Sequence, residues 1–338
     1  MHRMVLLNPM LDRAGQEWLA AHADVTVVPS DSPPARLTEA LRSADAVIVR
    51  LPGRMTREMI ASAPRLRVIA TAGAGYDHID VAAATNAGIC VVNNVGIGPN
   101  PVAEHTVGLM LALARRIVVG DTRLRREGWT GRDELLVRDP GTELSGKTVG
   151  IIGFGFIGRR VAAICRDAFS NRVLAYDPPL DDAVFAAAKV ERRKSLAELL
   201  PESDFVTVHA PMTKGTRHLL GAAELAMMKP TAYLINCARG GLVDPVALTE
   251  VLREGRIAGA GIDVFDPEPP ERHLPLFDLE NVIVTPHLAG LSRETNLRLS
   301  MSAAEQVVQV LAGDRPPRLV NPEVWDRRRG GSQGVIPQ

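Results

Sequence analysis

Three side chains able to bind a carboxylate and move a proton each sit just past a strand-like run. Arg239 lies in Asn236-Cys237-Ala238-Arg239-Gly240-Gly241, after the apolar run Ala232 to Asn236. Glu268 lies in Asp263-Val264-Phe265-Asp266-Pro267-Glu268-Pro269-Pro270, and His287 follows Val282-Ile283-Val284-Thr285-Pro286. An arginine holds a carboxylate through two parallel N–H bonds. A histidine exchanges a proton near neutral pH. A glutamate hydrogen-bonded to that histidine fixes its tautomer and raises its basicity, which suits an acid–base pair. The plainer reading of His287 is a loop histidine; its matched acid weighs against that.

A second pattern points to a nucleotide. Gly153-Phe154-Gly155-Phe156-Ile157-Gly158 fits GxGxxG. The pattern is weak alone, but here it follows the strand run Thr148 to Ile152 and opens a helix with apolar positions at Ile157, Val161 and Ile164. In that setting Gly153 makes the tight turn, Gly155 admits a pyrophosphate and Gly158 lets helix and strand pack closely. The helix start offers N–H groups and a positive dipole end. An acid is expected about 20 residues on, and Asp177 ends the next strand run there. Its carboxylate would accept from ribose hydroxyls and repel a 2′-phosphate, which favours NAD over NADP.

These groups need strand ends to carry them. The N-terminal part alternates short apolar runs (Val5 to Leu7, Val25 to Val28, Ala46 to Val49, Val68 to Ala70) with helical stretches (Gly15 to His22, Arg36 to Arg42, Thr56 to Ala61). Alternation of this kind builds parallel sheets covered by helices. A Gly/Pro-rich hinge, Gly96 to Pro101, precedes one long helix expected over Val102 to Leu124, apolar on nearly all sides and therefore buried. A second alternating series starts at Lys147, with strands expected at Thr148 to Ile152, Val173 to Tyr176, Phe205 to His209, Ala232 to Asn236, Ala258 to Val264 and Val282 to Thr285. Ser292 to Leu311 reads as a long amphipathic helix, and Asp326 to Gln338 as a frayed tail.

Composition narrows the function classes. The 338 residues suit two domains, and 46% hydrophobic residues can fill their cores. Lys plus Arg and Asp plus Glu each count 39, so no net charge draws the chain to nucleic acid or anionic membrane. Thr106 to Leu113, the strongest apolar run, is too short to span a bilayer. Cys90, Cys165 and Cys237 are far apart and form no CxxC pair, so neither a metal site nor a disulfide framework is expected and a cytoplasmic setting is. No signal-peptide layout opens the chain.

Taken together, GFGFIG, NCARGGLVD, GAGIDVFDPEPP, TPHLAG, TAGAGYDHIDV (Thr71 to Val81) and VAEHTVGLMLALAR (Val102 to Arg115) resemble the D-isomer-specific 2-hydroxyacid dehydrogenases, over roughly Ala44 to Pro322. The resemblance implies two doubly wound α/β parallel-sheet domains. A Rossmann NAD-binding domain, residues 99–288, is inserted into a discontinuous flavodoxin-like substrate-binding domain, residues 1–98 and 289–325, with the tail at 326–338. It implies a catalytic cleft between them and a homodimer built on the long helix.

It also implies residue roles. His287 is the acid/base, Glu268 its partner, and Arg239 the group that holds the substrate carboxylate and polarises the carbonyl. Backbone N–H groups at Ala74 and Gly75 receive the carboxylate as well, and Arg50, at the substrate, matches a basic position of the phosphoglycerate branch. Phe156 and Ile157 lie under the pyrophosphate, Ala210 and Pro211 flank the adenosine side, and Asp263 binds the nicotinamide amide. Cys237, Ala238 and Gly290 complete the cofactor contacts. The substrate is a small 2-keto or 2-hydroxy acid.

Thr71 stands where the phosphoglycerate branch carries an arginine, and Leu288-Ala289-Gly290-Leu291-Ser292 departs from that branch's run after the histidine. With no regulatory domain expected after the core, an unphosphorylated acid such as glyoxylate or hydroxypyruvate is preferred to 3-phosphoglycerate. An NAD(H)-sensing interaction protein resembling the C-terminal-binding corepressors would keep the same trio; the absence of long flanking tails favours the enzyme. Formate dehydrogenases pair their histidine with glutamine, which Glu268 argues against; phosphite oxidation is less easily set aside. Among the other histidines, His105 is expected in packing or at a dimer interface, His209 in the core or the cofactor cleft, and His78, His218 and His273 in loops. Glu104 reads as a helix-start carboxylate, and Tyr76 and Asp77 as turn residues.

Overall fold

The computed structural model describes residues 1–133, 137 and 140–330. The chain divides into two compact units, Met1–Gly98 with Leu291–Gln338, and Pro99–Gly290.

The first unit holds a five-stranded sheet of β1 (Arg3–Leu7), β2 (Asp24–Val28), β3 (Ala46–Val49), β4 (Val68–Thr71) and β5 (Cys90–Val92). All pairs are parallel and the order is β2-β1-β3-β4-β5, the flavodoxin-like winding. Every residue of β3 and β4 is buried, as a sheet covered on both faces requires. One cover is the helix Arg293–Ala312, which brings Ala303, Ala304, Val307 and Val310 onto Leu6, Ile48, Ala70 and Val92. Ser292 caps its start by accepting from the Thr295 N–H. The helix Arg13–His22 lies so close that a Cβ at Gly15 would sit 2.5 Å from Ser300 Cβ.

The second unit holds β6 (Thr148–Ile152), β7 (Arg172–Tyr176), β8 (Glu191–Arg192), β9 (Phe205–Val208), β10 (Tyr233–Asn236), β11 (Gly259–Ile262) and β12 (Val282–Val284). The strands are parallel, in the order β12-β11-β10-β9-β6-β7-β8. This is the Rossmann winding with one more strand, and its order reverses between β6 and β9, the place where such sheets bind nucleotides. The expected α/β class with two doubly wound sheets is what forms. Expected strand positions agree to within a residue or two; β5 and the two-residue β8 were not anticipated.

The single long helix expected over 102–124 is two helices, Pro99–Ala114 and Ile117–Glu127, with Arg116 at φ +56° between them. The Thr142 N–H donates to the Ala114 carbonyl at 2.7 Å, so the carbonyl that would continue the helix is already taken. Only the first helix is buried as expected: Val102, Val107, Leu109, Met110 and Leu113 join the core, whereas the second buries no residue. The expected tail is also anchored at its start. The Arg329 N–H donates to Gly88 O at 2.8 Å, and its guanidinium donates to the carbonyls of Ala63, Pro64 and Leu66. Residues 331–338 of that expected tail lie outside the described residues. No helix among the described residues is long and apolar enough to cross a membrane.

Candidate active site

The glycine motif sits where the sheet order reverses. Gly153 has φ +91°, and a Cβ there would lie 2.5 Å from the Ala210 N just past β9. A Cβ at Gly158 would lie 2.2 Å from Gly153 O. Gly155 differs: a Cβ there would meet nothing within 4 Å. It precedes the helix Phe156–Phe169, whose start no side chain caps. Free N–H groups at a helix start beside open space are what a pyrophosphate needs. Phe156 is 60% exposed there, with the Arg159 guanidinium 6.0 Å from its ring centre, while Ile157 packs partly into the core. Asp177 follows β7, and its Oδ2 accepts from the Phe154 N–H at 2.7 Å. The cradle thus joins a glycine turn, a helix start and a carboxylate, the set that fits an NAD dinucleotide. Ala210 borders the turn and Pro211 is exposed beyond it. His209, beside them, shares a hydrogen bond with Thr207 through Nε2, and burial pushes its imidazole down to about 3, so it is neutral.

Past β10, β11 and β12 the three chemistry-bearing residues gather. His287 Nδ1 donates to Glu268 Oε2 at 2.7 Å, and Glu268 Oε1 accepts from the Phe265 N–H at 3.0 Å. Burial acts to raise the Glu268 carboxyl. The hydrogen bonds from His287 and Phe265, with the charges of His287 and Arg239, outweigh it and hold the group below its ordinary range. Glu268 is therefore ionised and acceptor-only, which fixes the proton on Nδ1 of His287. Among the described residues Nε2 has no hydrogen-bond partner, and the side chain is 35% exposed.

Asn236, buried at the end of β10, shapes the arginine loop: it donates to Arg239 O at 2.9 Å and accepts from the Ala238 N–H at 3.1 Å. Arg239 itself donates from Nη1 to Ala238 O at 2.8 Å. Gly240 allows this loop to meet the glutamate loop, since a Cβ there would lie 2.0 Å from the Phe265 carbonyl carbon. A cavity of about 210 Å³ opens beside them, lined by Asn236, Gly240, Phe265, Asp266, Pro267 and Glu271 among others. Cys237 is buried, and burial pushes its thiol up to about 12, so it offers no thiolate. Gly290 lies 3.9 Å, measured from a Cβ built on it, from Val102 Cγ2.

Asp263, just past β11, is fully buried. Its Oδ1 accepts from Thr285 Oγ1 at 2.5 Å and from the Leu288 N–H at 2.8 Å, and its Oδ2 from the Ala289 N–H at 2.9 Å. The carboxylate organises the chain around His287.

In the first unit, Arg50 follows β3 and donates from Nε to Pro9 O at 3.2 Å. Ala74 is exposed in the glycine loop and Gly75 half-buried. Thr71 Oγ1 donates to Gly75 O at 3.1 Å, Asn93 Nδ2 to Ala74 O at 2.8 Å and Asn94 Nδ2 to Ala72 O at 2.9 Å. Buried Gln306 in turn donates to Asn93 O at 3.0 Å. His78, expected in a loop, lies in a turn and is buried there, with Nε2 3.3 Å from Thr71 Oγ1. Sequence reasoning missed this amide cluster and the His105–Thr285 pair described below. The only available signal was a run of polar residues at strand ends, which many loops share. Among the described residues no group of three His, Cys, Asp or Glu side chains could hold a metal ion.

Residues 107–289 match the family model of the D-isomer specific 2-hydroxyacid dehydrogenase NAD binding domain. The chain is 42% identical over 321 residues to a glyoxylate reductase of Aeropyrum pernix, spanning 93% of this chain and 95% of that protein. The chain belongs to the D-isomer specific 2-hydroxyacid dehydrogenase family. A D-3-phosphoglycerate dehydrogenase of Methanocaldococcus jannaschii is 42% identical over 285 residues, 84% of this chain but 53% of that longer protein. The crystal structure of the D-lactate dehydrogenase of Aquifex aeolicus complexed with NAD and lactic acid superposes with a TM-score of 0.82 at 29% identity, covering 94% of this chain and 99% of that one. This dehydrogenase is accordingly an NAD-dependent oxidoreductase that transfers hydride between the cofactor and 2-hydroxy or 2-keto acids.

Proposed function

We propose that this dehydrogenase reduces a small, unphosphorylated 2-keto acid of the glyoxylate and hydroxypyruvate class, forming the D-isomer where the product is chiral. The observation that carries this reading is the 2.7 Å bond from His287 Nδ1 to Glu268 Oε2. When bound, NADH supplies the hydride that reaches the keto carbon. The chain's own task is the proton and the charge. Ionised Glu268 stabilises the imidazolium of His287, whose Nε2–H passes a proton to the keto oxygen as the carbon takes the hydride. In the reverse direction Nε2 takes the hydroxyl proton. Arg239 pairs with the substrate carboxylate and polarises the carbonyl beside it.

The first unit is read as the substrate-binding unit and the second as the NAD-binding unit. Ala74 and Gly75 offer backbone N–H groups to the carboxylate, and Arg50 a basic side chain. Around NAD, Gly153, Gly155, Phe156, Ile157 and Gly158 take the pyrophosphate, Asp177 the ribose, Ala210 and Pro211 the adenosine side, and Cys237, Ala238 and Gly290 the remainder. Thr71 in place of a phosphate-holding arginine supports an unphosphorylated substrate, as does the name of the Aeropyrum pernix relative. The molecule is further read as a cytoplasmic homodimer. Free buried cysteines support the setting. Exposed Ile117, Val118, Leu124 and Trp129 support a partner surface, and sedimentation velocity would measure the assembly.

The test is NADH oxidation against glyoxylate, hydroxypyruvate, pyruvate, branched and aromatic keto acids and 3-phosphohydroxypyruvate. The highest kcat/KM is expected for glyoxylate or hydroxypyruvate. A value for 3-phosphohydroxypyruvate well above theirs would overturn the substrate assignment. Tight NADH binding with no turnover of any acid would favour a cofactor-sensing binding protein.

A further inference from the structure

We propose that His105 and Thr285 are positioning residues for His287, acting through the buried carboxylate of Asp263. His105 lies on the helix Pro99–Ala114 and Thr285 just past β12, 180 residues apart in the chain. Thr285 Oγ1 lies 2.5 Å from Asp263 Oδ1 and 3.0 Å from His105 Nε2. A threonine hydroxyl has one proton, and here the carboxylate takes it. His105 Nε2 must then donate to the lone pair on Thr285 Oγ1, which fixes the tautomer of a second histidine near the site. His105 Nε2 itself lies 3.7 Å from Oδ1 of the fully buried Asp263.

The chain of bonds ends on the main chain at His287. The two oxygens of Asp263 accept from the N–H groups of Leu288 and Ala289, and its backbone carbonyl accepts from the His287 N–H at 2.8 Å. Residues 285 to 289 are thus tied to one buried group on both sides of the histidine. That anchoring answers a local cost. His287 has φ +54°, in the left-handed region that non-glycine residues enter only when their surroundings hold them there. Releasing Thr285 from Asp263 removes one of those ties and leaves a buried carboxylate short of a donor. Nε2 of His287 would then lose its fixed aim, and small misplacements of a reacting group cost large factors in rate.

This inference rests on His287 being the proton donor, and its tests are chosen to separate the two ideas. Thr285→Val removes the hydroxyl at nearly constant shape; Thr285→Ser restores it. His105→Phe removes the Nε2 donor, and His105→Gln places an amide donor near the same point. With NADH and the best 2-keto acid, kcat is expected to fall about tenfold or more in the Val and Phe variants. KM for the keto acid and the NADH Kd should change less than about threefold, because Arg239 and the glycine cradle are untouched. The Ser and Gln variants should recover most of the loss. A second readout needs no substrate: carbethoxylation of His287 by diethylpyrocarbonate, followed by peptide mass spectrometry. It should run several-fold faster in the Val and Phe variants than in wild type. Unchanged kcat with an unchanged modification rate would overturn the inference. So would equal losses in the conservative and non-conservative variants, which a merely structural defect would give. A wild-type enzyme inactive on all 2-keto acids would sink the catalytic reading, while the modification rates would still decide whether this pair positions His287.

Discussion

Gly158 and Gly153 touch through the backbone: any side chain on Gly158 would run into the carbonyl oxygen of Gly153 at 2.2 Å. Gly155, between them, faces open space and has an ordinary φ of −75°. The motif therefore contains glycines required by the fold and one left open for a ligand. Gly158→Ala is expected to lower stability by about 1–3 kcal/mol, the usual cost of forcing atoms into a packed site. Gly155→Val should melt near the wild-type temperature yet bind NADH at least tenfold more weakly, about 1.4 kcal/mol. Thermal melts beside NADH titrations by fluorescence measure both. Equal NADH affinity in Gly155→Val would argue against a pyrophosphate at that turn.

Replacing the proton donor should stop the chemistry without emptying the cofactor site. His287→Ala is expected to lower kcat by roughly 10²–10⁴-fold, the range for a positioned acid–base group. NADH affinity should stay within a few-fold of wild type. Glu268→Gln keeps a hydrogen-bond acceptor but loses the negative charge that favours the imidazolium, so a smaller loss is expected. Stopped-flow NADH oxidation with saturating keto acid separates the two. Wild-type kcat in His287→Ala would remove this residue from the mechanism.

The Glu268 pair also sets an acid limit on stability. Its carboxyl is held below the ordinary value of 4.5 in the fold despite the opposing effect of burial. The ionised form is thus favoured by folding. That stabilisation is present above the unfolded value and is lost as pH falls through the lower, folded one. The wild type should exceed Glu268→Gln in Tm near neutral pH, and the gap should narrow as pH drops below about 4.5. Melting curves stepped down in pH test this; a gap that widens on acidification would reverse the sign of the argument.

Cofactor choice should turn on Asp177. Its Oδ2 is already committed to the Phe154 N–H, which holds the carboxylate at the strand end where a ribose is expected. Asp177→Ser removes the charge that repels a 2′-phosphate. The ratio of kcat/KM for NADH to that for NADPH is expected to fall by tenfold or more, about 1.4 kcal/mol. Paired progress curves with the two cofactors give the ratio directly, and no change would move the discrimination to other residues.

Much of this was legible in residue order alone. Strands carried by runs such as Ala46–Val49 and Thr148–Ile152 stood out because both faces of a parallel sheet are buried. The acid–base pair stood out because Glu268 and His287 each follow such a run. Strand β8 did not, since two residues, Glu191 and Arg192, carry no apolar pattern. The break at Arg116 was hidden because it is set from a distance: Thr142 takes the Ala114 carbonyl, and the apolar pattern runs on through Ile117 and Val118. The hydrogen bonds that Asp263 makes were not legible in the sequence. Only tertiary structure reveals that three donors from 285–289 occupy that carboxylate.

The closing helix Arg293–Ala312 has a consequence for synthesis on the ribosome. It supplies Ala303, Ala304, Val307 and Val310 to a sheet whose strands are all made within the first 92 residues. The unit Pro99–Gly290 is continuous and emerges with every strand of its sheet in hand. The sheet begun first must wait, with Leu6, Ile48, Ala70 and Val92 uncovered on that face, until more than two hundred later residues have been translated. The order of translation and the order of completion are therefore opposed. Nascent chains stalled before residue 293 would be clients for holding chaperones through their earliest-made part.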